Sequence, residues 1–240
     1  MQPPLRSLRV LAARAVDLLY PPRCVACGRF GVLLCEPCVA AMHPATGSGR
    51  CPNCSAEWSE PLNCPRCVSW QWLDGASAAF EMEGRARRAV HALKYQRLRA
   101  IAPLLAEPMR KLREVRPFDV AYPVPLHPAR LRDRGFNQSE LLLRELGWPL
   151  GPGELRRVRN TKRQVGQAMH ERRANVSGAF AYDGPALTGK VVAVVDDVVT
   201  TGATVDACAL ALKEAGARQV VALSFARASF DPNSSRPPRD

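Results

Sequence analysis

The chain has 240 residues, 47% of them hydrophobic, with 34 Lys+Arg against 22 Asp+Glu and a formal charge of +12. That length holds one substantial core plus a small module, and the composition is that of an ordinary globular protein. The charge favours anionic partners (nucleic acid, polyphosphates or an acidic membrane face), the bland alternative being indiscriminate arginine usage.

Arg6, Arg9, Arg14, Asp17 and Arg23 interrupt the first residues, so no uncharged core of signal-peptide length is present there. Nor does any apolar stretch reach the ~20 residues of a membrane span. The expected location is cytoplasmic. Leu5, Leu8, Leu11, Ala15, Val16 and Leu19 recur at helical spacing, predicting an amphipathic helix over residues 1–20 that Pro21 and Pro22 stop.

Residues 21–72 form the second block. Cys24 and Cys27, Cys35 and Cys38, Cys51 and Cys54, Cys64 and Cys67 make four C-x-x-C pairs. Each pair presents two thiolates at an angle suited to tetrahedral Zn²⁺, so eight ligands predict two structural zinc sites. Sequential pairing puts the first four thiolates on one ion and the last four on the other; interleaved pairing is the alternative. Disulfides are disfavoured by the missing export signal, and iron–sulfur ligation is a weaker rival. A segment with so few large apolar residues folds around its metal. Trp58, Trp70 and Trp72 flank the last cysteines, either sealing the module's edge or stacking on bases.

The third block, residues 77–228, alternates helical and strand patterns. Helices are predicted over residues 85–95, over 101–115 with Leu104, Leu105, Met109 and Leu112 on one side, over 137–146 up to Gly147, and over 205–215 up to Gly216. Strands are predicted over 119–124, 191–195 and 219–225. A strand, a helix and a strand with short connections make a βαβ unit, hence an α/β fold with a parallel sheet flanked by helices. Residues 229–240 are polar and proline-rich and predict a disordered tail.

The segment VVAVVDDVVTTGAT at residues 191–204 carries the chemistry. A buried strand delivers Asp196 and Asp197 to the crevice where ligands bind in open α/β sheets. Thr200, Thr201 and Thr204 bring hydroxyls, Gly202 lets the backbone approach a ligand, and the start of the helix that follows offers free N–H groups to a phosphate. Carboxylates for a diol at one end and donors for a phosphate at the other match a sugar 5-phosphate. The alternatives are acidic strand ends that bind Mg²⁺, or a threonine that is only an N-cap. No dinucleotide-binding or ATPase glycine motif is present.

DDVVTTGAT resembles the phosphoribosyl-pyrophosphate motif of type I phosphoribosyltransferases. Lys94-Tyr95, YPVPLH at 122–127, RGFNQ at 134–138, Thr161 with Gln164, and ERRANVSGAF at 171–180 narrow the resemblance to the ComF family. The cysteine module is similar to that family's double zinc ribbon. The resemblance implies a type I phosphoribosyltransferase-like domain in which Asp196 and Asp197 hold the ribose hydroxyls and, if the site turns over, act as its catalytic pair. Residues 200–204, including Ala203, would hold the 5-phosphate, and Val124, Pro125, Leu126 and His127 would face the pyrophosphate. Residues 161–175 would form a hood whose Lys162, Arg163, Arg172 and Arg173 neutralise phosphate oxygens. Mg²⁺ would arrive with the phosphoribosyl pyrophosphate. No residue stands out as activator of an attacking nucleobase. His127 reads as a phosphate- or solvent-facing loop histidine more readily than as a general base, and Cys208 as a small core residue.

Basic side chains cluster at Arg85, Arg87, Arg88, Lys94, Arg97 and Arg99, at Arg130, Arg132 and Arg134, and at Arg156, Arg157, Arg159, Lys162 and Arg163. Beyond what one ligand needs, Arg97, Arg99, Arg130 and Arg134 are candidates for single-stranded DNA, a solvated basic face being the competing explanation. Three functions follow: a phosphoribosyltransferase of unknown acceptor, a ComF-like factor handling single-stranded DNA in natural competence (with other competence or helicase proteins as partners), and a regulator that senses phosphoribosyl pyrophosphate. The resemblance favours the second.

Overall fold

The computed structural model describes residues 21–58, 64–158 and 178–228. The expected opening helix, the tail, the hood, Arg159, Lys162 and Arg163 lie outside the described residues.

The core is a parallel sheet built from β1 (Gly75–Glu81), β2 (Val120–Pro123), β5 (Val191–Val199) and β6 (Gln219–Arg227), in the order β1-β6-β5-β2. Helices cover both faces, as parallel strands require. On one face lie α2 (Gly84–Tyr95), α3 (Ala102–Met109) and α6 (Gln138–Leu146), which pack Val90, Leu93, Leu105, Met109, Leu142 and Leu143 against Ala193, Val195, Leu223 and Phe225. On the other lies α7 (Ala203–Glu214), with Val205, Cys208, Ala209 and Leu212 against Val192, Val194, Val220 and Ala222. Cys208 is a buried core residue. An antiparallel pair, β3 (Glu154–Arg157) with β4 (Phe180–Asp183), adds Leu155 and Phe180 to that second core. Two short helices, α1 (Glu36–Ala40) and α5 (Pro128–Arg134), sit in connections that periodicity did not reveal.

Two predicted elements need correction. The helix over 101–115 is broken: a 3₁₀ turn at Arg99–Ile101 leads into α3, and a separate α4 (Leu112–Val115) follows. Pro108 lies inside α3 and removes one helical hydrogen bond. Leu104 faces outward, unlike Leu105, Met109 and Leu112. The strand expected over 191–195 continues to Val199, pairing Asp196 with Ser224 and Val198 with Ala226. The two aspartates therefore belong to β5 itself. β1 begins at Gly75, just ahead of the position where the sequence starts the third block.

Candidate functional site

β5 can carry two acidic residues because each is compensated. Asp197 is buried, and its Oδ1 lies 3.0 Å from Nζ of Lys94, near the end of α2. Asp196 accepts a hydrogen bond from Ser139 Oγ of α6 at 2.8 Å and from the Asp197 backbone N–H at 2.9 Å. Withdrawal from water and the neighbouring Asp197 charge push the Asp196 carboxyl from its ordinary 3.8 up to about 7, against the opposing pull of Lys94 and Ser139. The folded state thus holds this proton more tightly than the unfolded chain does. Stability from this group is complete at acid pH and is lost as pH rises through about 7. Asp196→Asn is therefore expected to melt higher than wild type at pH 8 and close to it at pH 4, as thermal denaturation at the two values would report; an equal difference at both would contradict this.

Beyond the strand the chain turns through Thr200 and Thr201 to Gly202, whose φ of +84° is the left-handed conformation that suits glycine at the start of α7. Thr201 Oγ1 lies 3.4 Å from the Ala203 N–H, which donates to it, and Asp206 N–H donates to Gly202 O at 2.8 Å. Thr200, Thr201, Ala203 and Thr204 are half-buried, so the turn remains reachable. The first amides of a twelve-residue helix have no acceptor within it and suit an anion.

Val124 and Pro125 lie in the loop after β2, beside the same strand: Val124 N–H donates to Val195 O at 2.9 Å. Asn137 ties this loop to α6. Its Nδ2 donates to Val124 O at 3.0 Å, while its Oδ1 accepts from Ser139 N–H at 3.0 Å and caps the helix. Residues of the RGFNQ segment thus brace the loop from within. Arg134 donates to Gln138 Oε1 at 3.1 Å and lies over the Tyr95 ring; Gly135 closes α5 with φ of +76°. His127 is the N-cap of α5, its Nδ1 accepting from Ala129 N–H at 3.1 Å. Desolvation and then the positive charges of Arg157, Arg132 and Arg130 lower its pKa.

The four arginines considered for nucleic acid divide. Arg97 donates to Asp133 O, and Arg99 donates to Gly135 O at 2.7 Å while lying over Phe136. Both are exposed but fasten the α2–α3 connection to the end of α5. Arg134 is half-buried in the contacts above, and Arg130 is exposed beside His127. Nothing local in the sequence connects Lys94 or Ser139 to the aspartates, although Lys94 belongs to the Lys94-Tyr95 pair and Ser139 directly follows RGFNQ.

The cysteines form two separate sets, Cys24, Cys27, Cys35 and Cys38, and Cys51, Cys54, Cys64 and Cys67, each with its sulfurs within 4.8 Å of one another. Cys27–Cys35, Cys51–Cys67 and Cys54–Cys64 sulfurs lie 3.7, 3.7 and 3.6 Å apart. A tetrahedron with metal–sulfur distances of about 2.3 Å has edges of about 3.8 Å, whereas a disulfide is about 2.05 Å long. The grouping follows sequential pairing. Burial and neighbouring thiols push Cys38 up to about 12. Four crowded sulfurs of this kind suit a divalent ion that draws off their protons. Both sets are consistent with structural zinc. Cys24, Cys35 and Cys38 of the first set are part of the main core with Ala26, Leu34 and Met42, while Cys27 is exposed; the second set makes a small core with Ala56, against which Trp58 and Trp70 pack.

The double zinc ribbon domain family matches residues 15–68. The DNA utilization protein YhgH of Salmonella typhimurium is 33% identical over 203 residues, 78% of this chain and 87% of its own length. The competence protein ComFC of Streptococcus pneumoniae is 29% identical over 210 residues, 81% of this chain and 87% of its own. The competence protein F of Haemophilus influenzae is 36% identical over 112 residues, 44% of this chain and 49% of its own. Among the described residues no helix is long and apolar enough to cross a membrane.

Proposed function

The chain belongs to the ComF family, and from that premise we propose that it binds phosphoribosyl pyrophosphate with Mg²⁺ in the crevice at the end of β5 and acts on single-stranded DNA in competence or DNA utilization. The names of its relatives support the biological role. One observation carries the ligand: paired carboxylates in the C-terminal half of a buried parallel strand are followed, after Val198 and Val199, by a threonine-rich turn that opens a helix. Asp196 and Asp197 accept from the ribose hydroxyls, and residues 200–204 donate to the 5-phosphate. The loop at Val124 and Pro125, with Arg130, Arg132 and Arg157 close to His127, faces the pyrophosphate. Lys162 and Arg163 are proposed to close over it.

The chemistry open to this site is positioning and charge stabilisation. Lys94 pairs with Asp197 and orients it, and Ser139 orients Asp196. The zinc ions are structural, since four thiolates leave no open position. Mg²⁺, brought by the ligand, would supply charge neutralisation at the pyrophosphate.

Calorimetry with phosphoribosyl pyrophosphate and Mg²⁺ tests the reading: saturable one-site binding is expected, weakened at least about tenfold in Asp197→Asn by loss of a charged hydrogen-bond acceptor. Equal binding by that variant, or none by wild type, would refute it. DNA is tested at Arg130 and Arg132, both exposed. Charge reversal at both is expected to weaken oligonucleotide binding and to reduce the slope of log K against log[salt] by roughly 1.4, about 0.7 per phosphate contact. An unchanged slope would remove them from the DNA path. Pyrophosphate release with a nucleobase panel would instead establish turnover.

A further inference from the structure

The second cysteine set is attached to the phosphate turn itself. Arg66, between Cys64 and Cys67, is buried, and its guanidinium donates to the carbonyl oxygens of Thr200 and Ala228, both at 2.6 Å. Trp70 Nε1 donates to Thr201 O at 3.1 Å. A Cβ on Gly202 would meet that same nitrogen at 2.3 Å, so the indole fills the space a side chain there would need. Asp206, in the first turn of α7, accepts from the backbone N–H groups of Gln71, Trp72 and Leu73 at 3.1, 2.9 and 2.9 Å.

In a trans peptide the N–H points opposite to the C=O. Turning the Thr200 and Thr201 carbonyls toward Arg66 and Trp70 therefore turns the N–H groups of Thr201 and Gly202 away from the ribbon. An unbraced turn would let these carbonyls rotate toward the ligand, where they would repel a phosphate. A buried guanidinium is costly, and this one is spent on two carbonyls.

We propose that the second ribbon positions the phosphate turn, with Arg66 and Trp70 as positioning residues that hold residues 200–202 in their anion-receiving shape. The ribbon fold, set by the ligand set Cys51, Cys54, Cys64 and Cys67, aims both side chains, so occupancy of that set and affinity at the turn are coupled. The proposal rests on the sugar-phosphate reading of the crevice, and its test separates the two.

Full-length, zinc-replete Arg66→Met and Trp70→Phe proteins each remove donors while keeping apolar bulk. Zinc content is measured by release to a colorimetric chelator, amide hydrogen exchange is followed in the ligand-free proteins, and affinity for phosphoribosyl pyrophosphate with Mg²⁺ is measured by calorimetry. Both variants are expected to keep two zinc ions, to exchange the amides of residues 201–205 about tenfold faster, and to bind the ligand about tenfold more weakly, the usual scale for one lost hydrogen bond. Wild-type exchange in both variants, or faster exchange with undiminished affinity, overturns the proposal. Should wild type itself bind no phosphoribosyl pyrophosphate, the sugar-phosphate reading fails while exchange alone still decides whether Arg66 and Trp70 hold the turn. Should Arg66→Met not fold, Trp70→Phe decides.

Discussion

Cys64→Ser is expected to bind one zinc ion instead of two and to lose the fold of the second ribbon, leaving the parallel sheet assembled. A structural zinc site contributes on the order of 10 kcal/mol of binding free energy at neutral pH, as much as a whole domain's net stability of about 5–15 kcal/mol. The apolar core of this ribbon, Ala56 and the cysteines with Trp58 and Trp70 against it, is too small to replace that. The loss does not stop at the ribbon. Arg116 donates to Pro52 O and Asn53 O, both at 2.7 Å, and to Ser77 Oγ at 2.9 Å. Arg227 donates to Cys54 O, and Arg50 pairs with Glu81. Glu81 and Arg227 are buried, and without the ribbon Arg227 and Arg116 lose these carbonyl acceptors. Zinc stoichiometry and limited proteolysis check this: new cleavage between residues 51 and 73 is expected, with the sheet protected. Two retained zinc ions and an unchanged digest would contradict it.

Lys94→Met is expected to destabilise the protein by about 3–5 kcal/mol, because it leaves the Asp197 carboxylate buried without its cation. The Lys94 and Asp197 side chains are 19% and 6% exposed, so water compensates poorly for the lost partner. Combining it with Asp197→Leu removes both charges, and the double variant is expected to recover most of that loss while failing to bind phosphoribosyl pyrophosphate. Denaturant unfolding measures the first effect and calorimetry the second. A pair that exists for stability would behave differently: the double variant would remain as unstable as the single one. Recovery of stability without recovery of binding identifies the ion pair as part of the ligand site.

What the sequence discloses is what is local. The four cysteine pairs follow from two-residue spacings, although their grouping into two sets needed the structure, and the buried strand follows from an uninterrupted apolar run in which Val192, Ala193, Val194 and Val195 are fully buried. The turn at Gly202 and the helix after it are encoded within a dozen residues. What the sequence conceals is long-range. Ser139 meets Asp196 across 57 positions, and Arg66 and Trp70 reach the turn across 134 and 131. The premature end assigned to β5 has the same origin: two carboxylates do not belong in a buried strand unless partners come from elsewhere, and Lys94 and Ser139 come from two different helices. Charge clustering misleads in the opposite direction, since Arg97 and Arg99 stand in a basic run and yet bind carbonyls of their own chain.

The account depends most on the turn after β5 being a phosphate cradle. Ribose 5-phosphate titrated into isotope-labelled, zinc-replete protein addresses it directly, residue by residue. Saturable movement of the amide resonances of Gly202, Ala203, Thr204 and Val205, lost in Asp197→Asn, is the predicted result. Resonances of this turn that stay fixed at millimolar ligand, whether or not others move, would contradict it.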